Sequence, residues 1–177
     1  MKAEYLLHRE LEHVLSALTP ENRVVMQTCL HTGLRIGDVL ALRRSDIARR
    51  FWVTERKTGK RRMVGLPDAL RAEILRLSQG SEWAFPGRWP EMPRTRQAVW
   101  ADVKRAQRAF RLPMNLAPHS ARKVYAVELM AKYGDIERVR RALNHSSESV
   151  TMLYAMADKL TQRPMKRAAL PGRRTLG

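Results

Sequence analysis

Residues 119–147 read HSARKVYAVELMAKYGDIERVRRALNHSS. The spacing predicts a helix from Ser120 to Tyr133, entered behind Pro118 and stopped by Gly134, then a short helix over 135–143 and another over 148–156. His119 and Arg122 stand three apart at the start of the first of these helices, so they project from neighbouring points of one face. A helix start adds free N–H groups and the positive end of the dipole, and the combination suits an oxyanion or a phosphate. In a chain with 34 Lys and Arg residues such a pair also arises by chance on a solvated face. Its meaning depends on what surrounds it.

Working outward, helical apolar spacing recurs over 9–18 and 21–31, with Pro20 and Glu21 opening the second segment and Gly33 ending it. IGDVLALR, 36–43, fits a short helix. FWVTE, 51–55, and RMVGLP, 62–67, are β-prone runs joined by RKTGKR, a hairpin turning at Gly59. A helix is expected from Asp68 to Leu77, and the Gly- and Pro-rich SEWAFPGRWPEMP, 81–93, is a loop. From Thr95 to Leu112 a longer helix carries Val99, Val103, Ala106 and Phe110 on one face. The expected fold class is therefore mainly α (α+β): helical, with a small antiparallel β-sheet at one edge.

At 177 residues the chain has room for one ordinary domain. Its 34 Lys+Arg against 17 Asp+Glu give a formal charge of +17, which points to a polyanionic partner, nucleic acid before anionic membrane. No run of 18 apolar residues is present, so a soluble, cytoplasmic protein is expected. The single cysteine, Cys29, falls in the apolar run VVMQTCL and reads as core.

Two further clusters carry chemistry. In TGLRIGDVLAL, 32–42, Arg35 stands among Leu34, Ile36, Val39 and Leu40, where a guanidinium is costly unless paired or holding an anion. Asp38 is a candidate for that pair. On the hairpin, Lys57 and Lys60 are either solvated or positioned to give a proton to a leaving oxygen. No HExxH or CxxC pair occurs, nor a phosphate-binding Gly-rich loop with its lysine, so neither a metal nor a nucleotide cofactor is expected.

In this order and spacing, TGLRIGDVLALRRSDI, KTGKRRMVGLP, the opening stretch and TMLY, 151–154, resemble the catalytic domain of the tyrosine recombinase, or phage integrase, family over roughly residues 8–158. The resemblance implies that Arg35 and Arg122 clamp the scissile phosphate, with His119 as proton acceptor and His145 as hydrogen-bond donor. It implies Lys57 as general acid, with Lys60 as the other candidate, Asp38 as acidic supporter and Tyr154 as nucleophile. Of the remaining tyrosines, Tyr125 within YAVELM reads as core, Tyr133 abuts Gly134 and Tyr5 is near the terminus. Asn144 stands where the family usually has glycine. The expected layout is a catalytic domain over 1–158 and a basic, Pro-broken tail over 159–177, without the family's N-terminal core-binding domain.

The residues suit the implied chemistry. A tyrosine of pKa about 10 is short of phenolate at neutral pH by roughly 4 kcal/mol, so a base and cations must assist it. The expected function is site-specific cleavage and rejoining of DNA through a 3′-phosphotyrosyl intermediate. The partners would be double-stranded DNA and further copies of the chain, as dimer or tetramer, with no membrane and no small-molecule substrate. A DNA-binding protein that keeps the fold without catalysis, and a type IB topoisomerase-like enzyme, are the alternatives.

Overall fold

The computed structural model describes residues 8–112 and 115–143. Its organising element is α2, Pro20–Thr32. Val24, Val25, Met26, Cys29 and Leu30 are buried along it, and so are Asn22, Thr28 and Thr32. A helix buried on several sides needs every polar group bonded. The Thr28 hydroxyl donates to the Val24 carbonyl at 2.7 Å and that of Thr32 to the Thr28 carbonyl at 2.5 Å. Around α2 stand α1, His8–Ser16, α4, Asp68–Leu77, α5, Arg96–Ala109, and α6, Pro118–Tyr133.

Pro20 opens α2, where its missing N–H costs nothing. Gly33 closes it in the left-handed region at φ 63°, its N–H bonded to the Cys29 carbonyl. A Cβ there would lie 2.3 Å from a ring carbon of Tyr125, so both the backbone angle and the space demand glycine. The end of α2 is thereby pressed onto α6.

Strands β1, Arg50–Thr54, and β2, Arg61–Gly65, form an antiparallel pair with Phe51 opposite Val64 and Val53 opposite Arg62. Alternation sends Phe51, Val53 and Val64 into the core and leaves Trp52 and Met63 exposed. Side chains of this kind stabilise the fold by roughly 1.5–3 kcal/mol each when fully buried. Thr95 caps α5 by accepting from the Ala98 N–H at 3.1 Å, and Val99, Val103 and Ala106 are buried along that helix. Asp102 of α5 accepts from the Thr19 N–H at 2.9 Å and the Asn22 amide at 2.8 Å, locking α5 to the start of α2. The last described helix, α7, Ile136–Leu143, puts Val139 and Leu143 against Ala126 of α6.

The expected fold class holds: a mainly helical domain with a two-stranded antiparallel sheet. Three boundaries differ. The helix expected over 36–43 is a single turn, α3, Ile36–Val39, because the chain leaves it to bond with the loop over 81–93. The Ala84 N–H donates to the Leu42 carbonyl and the Arg44 N–H to that of Glu82. A 3₁₀ turn, Arg44–Asp46, follows. The α5 helix stops at Ala109 rather than Leu112, since Arg111 takes a φ of 48°. The α6 helix begins at Pro118, so His119 lies in its first turn. The helix expected over 148–156 lies outside the described residues. Among those described, no helix is long and apolar enough to cross a membrane.

Candidate active site

A cleft of about 580 Å³ opens where α3, the β1–β2 hairpin, the start of α5 and the start of α6 converge. Arg35, Asp38, Arg56, Lys57, Arg96, His119 and Arg122 line it. Five of the predicted residues, Arg35, Asp38, Lys57, His119 and Arg122, are thus brought to one place from separate elements. Lys60 is exposed further along the hairpin and does not line the cleft. His145 and Tyr154 lie outside the described residues.

Arg35 occupies the residue before α3 in extended backbone, φ −70° and ψ 144°. Its guanidinium meets a carboxylate, but not the one expected from the sequence. The partner is Glu55, whose Oε2 accepts from Arg35 Nη1 at 2.5 Å. The Glu55 side chain is 0% exposed, and its other oxygen lies 3.2 Å from Arg62 Nε. Asp38 instead accepts the Arg56 N–H at 3.0 Å, clipping the base of the hairpin beside Lys57. The i,i+3 pairing of Arg35 with Asp38 is corrected accordingly. A signal for Glu55 was present in the sequence: it continues the inward phase of Phe51 and Val53, and an acidic residue on a buried strand face requires cations.

Arg122 is 2% exposed. Its guanidinium donates to the Gly33 carbonyl at the end of α2 and, at 2.5 Å, to the Leu143 carbonyl at the end of α7. Loss of water and the nearby Arg35 charge bring its pKa down to about 10, against the pull of the Glu55 and Asp38 carboxylates. It stays cationic at neutral pH. His119 is exposed at the lip of the cleft, yet crowding by protein, together with the charges of Arg122, Lys123 and Arg35, holds its imidazole below the ordinary 6.5. The neutral ring, which can accept a proton, is therefore the dominant form at neutral pH.

Arg96 and Arg56 extend the cationic wall and were not singled out from sequence. Arg96 is the first residue of α5, and a Cβ on Gly37 would lie 2.5 Å from its guanidinium. Glycine at 37 lets that side chain lie across α3. Arg62, the second partner of Glu55, donates to the Thr32 carbonyl at 2.9 Å and to that of Ala142. Burial lowers its pKa, and Glu55 and Tyr125 counteract this. Cys29 is fully buried, its thiol pushed up to about 12 by loss of water, which fits its reading as core.

Cations that dominate the lining, with forked guanidiniums and a neutral imidazole, make an anion site able to hold several oxygens of one group and to accept a proton beside it. Residues 4–160 match the phage integrase family. An integrase/recombinase, y4qK, of Sinorhizobium fredii is 33% identical over 82% of this chain and 49% of its own length. A probable integrase/recombinase of Bacillus subtilis, YoeC, is 30% identical over 76% of each chain. The integrase of Escherichia phage P2 is 31% identical over 85% of this chain and 42% of its own length. The chain thus spans about half or less of two of these relatives. Among solved structures, XerA recombinase superposes with a TM-score of 0.72 at 21% identity, covering 91% of this chain and 64% of that one. A lambda integrase dimer bound to a COC′ core site gives 0.71 at 21%, covering 96% and 52%. The match along nearly all of its described length, on the same fold, makes this chain a member of the phage integrase family of tyrosine recombinases.

Proposed function

We propose that the protein breaks and rejoins DNA strands by phosphoryl transfer to Tyr154, acting as a site-specific recombinase or integrase. The observation that carries this reading is the convergence of Arg35, Lys57, His119 and Arg122 on one cleft. In the proposed reaction the Tyr154 oxygen attacks the scissile phosphorus and the 5′-oxygen leaves. The protein becomes joined to the 3′-phosphate, and the bond energy is kept for religation. Charge grows on the equatorial oxygens of the five-coordinate phosphorus, where the guanidiniums of Arg35 and Arg122 are preorganised donors. His119, neutral at working pH, accepts the phenolic proton. Lys57, on the hairpin that Asp38 clips in place, gives a proton to the departing 5′-oxygen. His145 adds a further donor to the phosphate.

The formal charge of +17 fits duplex DNA as the substrate. Self-association on DNA is part of the proposal, because strand exchange needs paired active sites, and the lambda integrase neighbour is a dimer on its core site. The test is incubation with a nicked duplex that traps the cleaved state. Wild-type protein is expected to form a covalent adduct through a 3′-phosphotyrosine, leaving a free 5′-hydroxyl. Tyr154→Phe is expected to bind equally well and form none. Binding without any adduct in the wild type would favour a non-catalytic DNA-binding role, and an adduct mapped to Tyr125 would displace Tyr154 as nucleophile.

A further inference from the structure

We propose that Glu55 is the positioning residue of this site, holding Arg35 against the hairpin that carries Lys57 so that both cations face one phosphate. The inference rests on the phosphoryl-transfer reading above and assigns a role to a residue that lies behind the cleft lining. Its side chain is 0% exposed, and an ionised carboxylate survives such burial only when paired and hydrogen-bonded. Glu55 is both. Oε2 accepts from Arg35 Nη1 at 2.5 Å and from the Thr58 hydroxyl at 3.3 Å, so one oxygen joins the phosphate-facing guanidinium to the turn beside Lys57.

The backbone of the same residue closes that turn. The Glu55 N–H donates to the Lys60 carbonyl at 3.0 Å, and the Glu55 carbonyl accepts from Gly59 at 2.8 Å and Thr58 at 3.3 Å. Lys57 lies inside the loop so formed. On the other side, Oε1 stands 3.2 Å from Arg62 Nε. Arg62 in turn bonds the last carbonyl of α2, on Thr32, and that of Ala142 in α7. Arg35 needs such an anchor because it precedes α3 in extended backbone, with no cap bond from its side chain. A guanidinium offers five N–H groups, so holding one Nη leaves a fork to meet the anion. The carboxylate also offsets the repulsion between Arg35 and Arg122, the pair the reading places on one phosphate.

Two measurements test this. Arginine side-chain ¹⁵N spectra, with the Arg35 signals identified by their loss in Arg35→Lys, are expected to show hindered Nη rotation in the wild type and its collapse in Glu55→Gln. Unchanged Arg35 signals would overturn the proposal. Single-turnover cleavage of the nicked duplex by Glu55→Gln is expected to fall ~10- to 100-fold, the scale of a misplaced catalytic group, with DNA affinity within ~threefold. Because Glu55 acts through Arg35, adding Glu55→Gln to Arg35→Ala is expected to change the remaining rate by less than ~twofold. An additive loss instead marks Glu55 as merely structural and sinks the idea. Should Glu55→Gln fail to fold, the double variant Glu55→Gln with Arg62→Met removes the stranded buried cation as well, and the same losses are expected. The two readings fail differently. A wild type that forms no adduct brings down the phosphoryl-transfer reading together with the catalytic half of this proposal. Adduct formation with an additive cycle brings down the role of Glu55 alone.

Discussion

Arg122→Lys separates what this residue does for the fold from what it does for the phosphate. The family resemblance implies that Arg122 is a phosphate ligand, a role that by itself places no demand on the fold. The structure predicts otherwise, because the buried guanidinium bridges the Gly33 and Leu143 carbonyls. A lysine ammonium is a single point on a flexible stem and cannot span both. One charge-assisted bond is lost and one buried carbonyl is left short, for a destabilisation of about 2–3 kcal/mol. At roughly 2–4 °C per kcal/mol for a domain of this size, Tm falls by about 4–12 °C. Cleavage loses more. Removing one preorganised donor to a developing oxyanion costs about 10²- to 10³-fold, and the lysine ammonium cannot replace the forked geometry. Thermal unfolding followed by circular dichroism reads the first effect, and single-turnover cleavage below the lowered Tm reads the second. A variant that melts with the wild type refutes the bridging argument. A destabilised variant that cleaves at the wild-type rate removes Arg122 from the chemistry and leaves it a structural tie.

Three other outcomes are expected. The His119 imidazole, followed by NMR, titrates below 6.5, since lost water and the Arg122, Lys123 and Arg35 charges disfavour its cation. Between that folded value and 6.5 the unfolded chain binds more protons, so this group's contribution to stability declines as pH drops through the window and levels off beneath it; a midpoint at or above 6.5 contradicts the site's electrostatics. DNA affinity measured against salt should follow a log–log slope of roughly −5 if some six phosphates are neutralised, and tight binding with a flat salt dependence would remove the phosphate-contact account. Cys29 should resist a thiol reagent near neutral pH in the native protein and react fully once unfolded, because its thiol is buried and pushed up to about 12; rapid native labelling would mean that the core opens at α2.

What the sequence disclosed and what it hid divide along contact range. The α2, α4, α5 and α6 helices were legible because each carries several turns of apolar periodicity and a local stop or start, Gly33 and Gly134 at two of the ends. The hairpin was legible from two β-prone runs about one glycine. The one-turn α3 was overextended, since its end is decided by the bonds of Leu42 and Arg44 to the loop near Ala84, a contact no periodicity records. The same division runs through the site. His119 and Arg122 share a helix face, so their spacing alone pointed to an anion, whereas the meeting of Arg35 and Lys57 with them was implied only by the family resemblance. The apolar setting of Arg35 correctly demanded a partner, and nearness suggested Asp38. That rule holds within a helix, where residues three apart share a face. Arg35 stands just outside α3 in extended backbone, so its side chain departs in another direction and finds Glu55, twenty residues on. For buried charge the better guide is phase: Glu55 continues the inward alternation of Phe51 and Val53, Arg62 stands opposite Val53 on the paired strand, and opposite charges on one buried sheet face are drawn together.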